Sequence, residues 1–194
     1  MKLIFATNNL HKVEEIRSVL KNRLEVISLK EAGIDIDIPE PYPTLEENAR
    51  TKSETIYQLS GENCFSEDTG LEVESLRGEP GVKSARYAGN GRSFRDNIDK
   101  LLFNLGDSHN RKARFRTIIS LILAGREYTF EGICEGAIAF SPSGNDGFGY
   151  DPVFIPDGAK KTFAEMTMEE KNSYSQRQKA TQKLVAFLQS LGKS

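Results

Sequence analysis

The chain is poor in cysteine, in net charge and in long apolar runs, and each shortage narrows what it can be. Its two cysteines, Cys64 and Cys134, sit in apolar strand-like contexts and form no C-x-x-C pair. They read as buried free thiols in a reducing compartment. A net charge of −2 over 194 residues gives no global field for nucleic acid or an anionic membrane. No apolar run approaches the ~20 residues needed to span a bilayer, and no basic n-region precedes an apolar core. A soluble cytoplasmic protein is expected. Repeats, low-complexity tracts and polar linkers are also missing, so residues 1–194 read as one domain.

What is present alternates. Strand-like Lys2-Leu3-Ile4-Phe5-Ala6 runs into Thr7-Asn8-Asn9-Leu10-His11-Lys12 and then into a helical stretch at 13–20. Residues 24–29 read as a second strand. An acidic, proline-rich loop follows at 35–44, and Thr44 with Glu47 has the form of a capping box opening a helix that stops at Gly61. Residues 63–66 read as a short strand ending in an Asp68-Thr69-Gly70 turn, and 93–105 as a helix. Residues 112–123 and 127–134 flank Ala124-Gly125-Arg126 as a hairpin, and one amphipathic helix is expected over 171–191. Early strand–helix alternation with later hairpins implies a mixed α/β sheet.

Three clusters carry chemistry. The turn from Thr7 to Lys12 offers a hydroxyl, two amides, a lysine and the positive end of a helix dipole, which suit a polyphosphate. It contains no glycine and is no Walker A loop; the same residues also serve as an ordinary helix cap. Glu67 and Asp68 follow apolar Cys64-Phe65, where carboxylates need a positive partner. A hard divalent cation is the simplest one, and an Asp beside it can act as general base. Glu40, between Pro39 and Pro41, is either a prepositioned ligand or part of a stiff surface loop. Gly147-Phe148-Gly149-Tyr150-Asp151 can stack on a flat ligand or fill core, and Lys171 to Arg177 gathers donors near a helix start.

In order along the chain stand Thr7-x-Asn9-x-x-Lys12, Ser66-Glu67-Asp68-Thr69-Gly70-Leu71, Gly81-Val82-x-Ser84-Ala85-Arg86-Tyr87-Ala88-Gly89, Phe148-Gly149-Tyr150-Asp151-Pro152 and Lys171-Asn172-x-x-Ser175-x-Arg177. Together, from residue 1 to about 191, they resemble the non-canonical purine nucleoside triphosphate pyrophosphatases, or Ham1-like family. The resemblance implies an elongated two-lobed α/β fold, with a long mixed sheet flanked by helices and a cleft between the lobes. It also implies a homodimer and Mg²⁺-dependent cleavage of ITP, dITP and XTP to monophosphate and pyrophosphate. By motif, Thr7, Asn8, Asn9, Leu10, His11 and Lys12 would form the phosphate turn, with Lys52 a further contact. Glu40 and Asp68 would hold the metal, Asp68 acting also as general base, and Thr69 would touch substrate. Phe148, Gly149, Tyr150 and Asp151 would line the base, read by Lys171, Gln176 and Arg177. At Gln176 the family pattern has His. A Maf-like pyrophosphatase acting on pyrimidine or modified nucleotides, and a purine-binding regulator without hydrolysis, are the alternatives.

Overall fold

The computed structural model describes residues 1–21 and 23–192. The chain divides into two compact units. One comprises Met1–Asp68, Thr117–Gly132 and Arg177–Ser194; the other comprises Thr69–Arg116 and Ile133–Gln176.

In the first unit, β1 (Lys2–Phe5) leads through Asn9 into α1 (Leu10–Leu20). The Asn9 side chain accepts from the Lys12 N–H and so fixes where the helix starts. β2 (Glu25–Ser28) pairs parallel with β1, which also pairs parallel with the start of β3 (Cys64–Val73). Between them lies α2 (Leu45–Ser60), capped by Thr44 and closed by Gly61 in the left-handed region, as its sequence suggests. The last element is α5 (Gln176–Leu191). Leu3, Phe5, Val13, Ile16, Phe65, Ala180 and Leu184 share one core, in which Phe5 and Phe65 stack with ring centroids 4.4 Å apart. Ile4, Leu29, Ile56 and Cys64 form a second.

In the other unit, the end of β3 pairs antiparallel with β4 (Pro80–Gly81). α3 (Phe94–Leu105) starts at the Ser93 cap, β7 (Phe154–Pro156) pairs antiparallel with β6 (Arg126–Ile138), and α4 (Met168–Asn172) is short. Leu71, Leu101, Phe115, Val153, Phe154 and Phe163 are the centre of its core. Among the described residues the sheet order is β2-β1-β3-β5-β6-β7, with β4 on β3 and β5 at Lys112–Leu123. β3, β5 and β6 are long enough to run through both units. Parallel and antiparallel pairs coexist, so the mixed sheet is as expected. The expected hairpin between β5 and β6 forms, with Ala124 and Gly125, both with positive φ, making its turn and Arg126, expected in the turn, already opening β6.

Two expectations fail. Asp68-Thr69-Gly70 is no turn: β3 runs unbroken for ten residues. Its two ends are held by different partners, β1 at Cys64 and Phe65 and β4 at Leu71 and Glu72, so ladder pairing overrides local turn preference. The expected helix over 171–191 is two helices. Thr167 and Glu170 form a capping box that starts α4 earlier, and the chain breaks at 173–175 before α5 begins.

Candidate functional site

In the first unit the opening turn is ordered by its own side chains. Thr7 Oγ1 accepts from the Asn9 N–H at 3.2 Å, and Asn9 Oδ1 accepts from the Lys12 N–H at 3.3 Å. The Asn8 amide donates to the Ile36 carbonyl at 2.7 Å, tying the turn to the loop after β2. Leu10 and His11 are exposed, and Lys12 is partly exposed. Capping and ligand binding are therefore compatible: the side chains that fix the turn leave its outer face open.

Glu40 and Asp68 converge on one ammonium. Lys52, from α2, places Nζ 2.5 Å from Glu40 Oε1 and 3.7 Å from Asp68 Oδ1, and donates to the Glu67 carbonyl at 2.8 Å. Two carboxylates gathered about one cationic position, from a proline-stiffened loop and a strand, are a donor set for a hard divalent ion. No group of three or more His, Cys, Asp and Glu suited to a metal occurs among the described residues. Such an ion would thus complete its shell with phosphate oxygens and water, which is how Mg²⁺ is ordinarily held.

Glu67 takes a different partner from the one its sequence context suggests. Successive strand residues face opposite sides, and where Asp68 meets Lys52, Glu67 meets arginine. Arg177 Nε and Nη2 donate to its two oxygens, each at 2.7 Å, and Lys12 Nζ lies 3.1 Å from Oε1. Arg177 Nη1 also reaches Glu15 on α1. Burial pushes the Glu67 carboxyl up, but the Arg177 and Lys12 charges overcome this and leave it at about 2. Burial acts on Arg177 in the opposite sense and is likewise outweighed, here by Glu67 and Glu15, so its pKa is raised. Arg177, expected to read a base, is 2 % exposed and has its guanidinium fork on these two acids. Glu15 is the residue that sequence reasoning missed, along with arginine as the partner of Glu67. The available signal was a glutamate beside Ile16 on the buried face of α1.

The other unit holds Thr69, partly exposed on β3, and a compact loop. Asp151 Oδ2 accepts from Lys171 Nζ at 2.6 Å and from the Phe148 N–H at 2.9 Å. Gly147, with φ +75°, is required here: a Cβ would lie 2.1 Å from Asp151 Oδ2. Lys171 Nζ also sits 5.2 Å from the Phe148 ring centroid and 5.3 Å from that of Phe163. Phe148 and Gly149 are partly exposed. Tyr150 is not: it packs in the core with its hydroxyl donating to the Ser84 carbonyl at 2.8 Å. Gln176, at the start of α5, is 3 % exposed, and its Oε1 has no hydrogen-bond partner among the described residues.

Comparison with known proteins agrees with the motifs. Residues 3–187 match the Ham1 family. A dITP/XTP pyrophosphatase of Flavobacterium psychrophilum is 48% identical over 187 residues, covering 96% of this chain and 98% of the relative. That of Porphyromonas gingivalis is 50% identical, with 96% and 97% covered. The solved Ham1 protein of Staphylococcus aureus superposes with a TM-score of 0.87 at 38% identity, covering 98% of this chain and 99% of that one.

Proposed function

The chain belongs to the Ham1 family, and from that premise we propose that it hydrolyses non-canonical purine nucleoside triphosphates such as dITP, ITP and XTP to the monophosphate and pyrophosphate. The observation that carries the reading to particular residues is the convergence of Glu40 and Asp68 on Lys52. Binding alone has no need of a carboxylate poised as a base, so a non-hydrolytic regulator is disfavoured.

The turn from Thr7 to Lys12, with Lys52, holds the phosphates. Glu40 and Asp68 would hold Mg²⁺, which would supply neutralisation of phosphate oxygens and Lewis acidity toward water. Asp68 orients the attacking water and accepts its proton through a carboxylate oxygen as the water oxygen attacks the α-phosphorus. The bond from the α-phosphorus to the bridging oxygen breaks in line, and pyrophosphate leaves with that oxygen. Thr69 contacts substrate. Phe148 offers its ring to the base, Gly149 allows close approach, and Asp151 keeps Lys171 and the Phe148 backbone in place. Gln176 presents an acceptor to the base edge, and Arg177 supports the site through Glu67. A homodimer, which rests on the family resemblance, and a cytoplasmic location, which rests on the sequence composition, belong to the same reading. No described helix is long and apolar enough to cross a membrane.

Asp68→Asn tests the mechanism: nucleotide binding should persist while turnover falls roughly 10²–10⁴-fold. Turnover near the native rate would remove the base. A panel of ITP, XTP, dTTP and UTP, scored by pyrophosphate release with and without chelator, separates this reading from a pyrimidine-directed pyrophosphatase.

A further inference from the structure

The cation of the opening turn is already opposed by an anion. Lys12 Nζ lies 3.1 Å from Glu67, Glu67 is clasped by Arg177 through two 2.7 Å bonds, and Arg177 continues to Glu15. Glu15 stands three residues after Lys12 on the same helix, so the chain of contacts closes back on α1. Two positive and two negative charges cancel, and Glu15, Glu67 and Arg177 are all at least 97 % buried. Beside them Lys52 faces two acids, Glu40 and Asp68. Among the contacts named, three cations thus stand against four anions, in a place read as holding a polyphosphate. A site that gripped phosphate by charge alone would carry the opposite excess.

We propose that Glu15 and Glu67 are positioning residues that act through Lys12. They keep its ammonium aimed at the turn and its charge balanced, so that the turn accepts a polyphosphate together with divalent cations and rejects the bare anion. The same balance favours release of pyrophosphate once its cations depart. This rests on the reading of Lys12 as a phosphate contact. Removing one buried acid leaves the network with a net positive charge, and coulombic attraction for a multivalent anion then rises. Glu15→Gln does so without touching Lys12 or Glu67. An amide oxygen in place of the carboxylate can still accept from Arg177 Nη1.

The test is calorimetric binding of inorganic pyrophosphate in chelator, to native protein and to Lys12→Ala, Glu15→Gln and Glu15→Asp. Lys12→Ala should bind at least tenfold more weakly, Glu15→Gln about tenfold more tightly, and Glu15→Asp close to native, because it keeps the charge. The gain in Glu15→Gln should shrink as salt is raised. A merely structural acid predicts weaker binding or none. Unchanged or weaker binding by Glu15→Gln, with Lys12→Ala impaired, overturns the proposal. Lys12→Ala binding like native overturns instead the reading of the turn. Should Glu15→Gln not fold, native protein alone decides: it should prefer magnesium pyrophosphate over the bare anion at least tenfold, and equal affinity would refute the balance.

Discussion

The two units bury charge in different ways. In the first, Glu67 has two cationic partners and Arg177 has two acidic ones, so Lys12, Glu67, Arg177 and Glu15 form a chain spread over α1, β3 and α5. In the other, Lys171 meets Asp151 at 2.6 Å, and the neighbours of the lysine include two phenyl rings. A network ties elements together, and a change at its shared members, Glu67 and Arg177, reaches the others. A pair set among aromatic rings can be replaced as a unit, because what surrounds it is largely apolar. The first arrangement suits a site that must manage charge, and the second a site that must recognise shape.

The comparison breaks most visibly at its centre. Arg177→Met should take the arginine shared by two buried carboxylates, Glu15 and Glu67, and cost about 3–5 kcal/mol in urea unfolding. A loss under ~1 kcal/mol would mean that the network is no network. Next, Lys171→Met should cost about 3 kcal/mol, yet Lys171→Met with Asp151→Asn should return to within ~1 kcal/mol of native, since the Asn oxygen still accepts from the Phe148 N–H. If the double variant is as unstable as the single one, the pair is not separable.

Acid sharpens the contrast. The folded Glu67 carboxyl is depressed from 4.5 to about 2. Its contribution to stability is therefore complete above pH 4.5 and is lost as pH falls from there towards 2. Glu67→Gln should be less stable at neutral pH but lose less on acidification, seen as a flatter stability-against-pH curve. A slope equal to native would place the acid sensitivity elsewhere. The smallest structural effect is expected at Gln176→His, which should leave stability nearly unchanged. It should alter the ratio of kcat/KM for ITP and ATP by about tenfold or more, because the buried Oε1 can accept from an amine where a donor would refuse it. Equal ratios in the two proteins would end that idea.

Much of the fold was legible because its punctuation is local. Asn9, Thr44 and Ser93 cap helices with their own side chains, and Ala124-Gly125 turns a hairpin within two residues. The acids of the candidate metal site were legible from motif, and Lys52 with them. The Glu67–Arg177 contact was not: 110 residues separate the partners, and nothing near Glu67 says which cation will meet it. Reading Asp68-Thr69-Gly70 as a turn failed for a related reason. Local preference favours a turn, whereas strands distant in sequence pull the segment straight. The break at 173–175 was hidden because the residues on both sides keep helical spacing.

β3 alternates its sides, so two adjacent acids have separate duties: Glu67 is spoken for by arginine, and Asp68 faces Lys52. Inheritance should treat the length of this strand more strictly than its composition. One residue inserted before Ser66 would carry Glu67 into the place of Asp68 and bring Ser66 to Arg177. One residue deleted would set Asp68 against Arg177 and leave Thr69 in the place of Asp68. Functional descendants of this chain should therefore vary freely in the loops around β3 while keeping the count of residues along it.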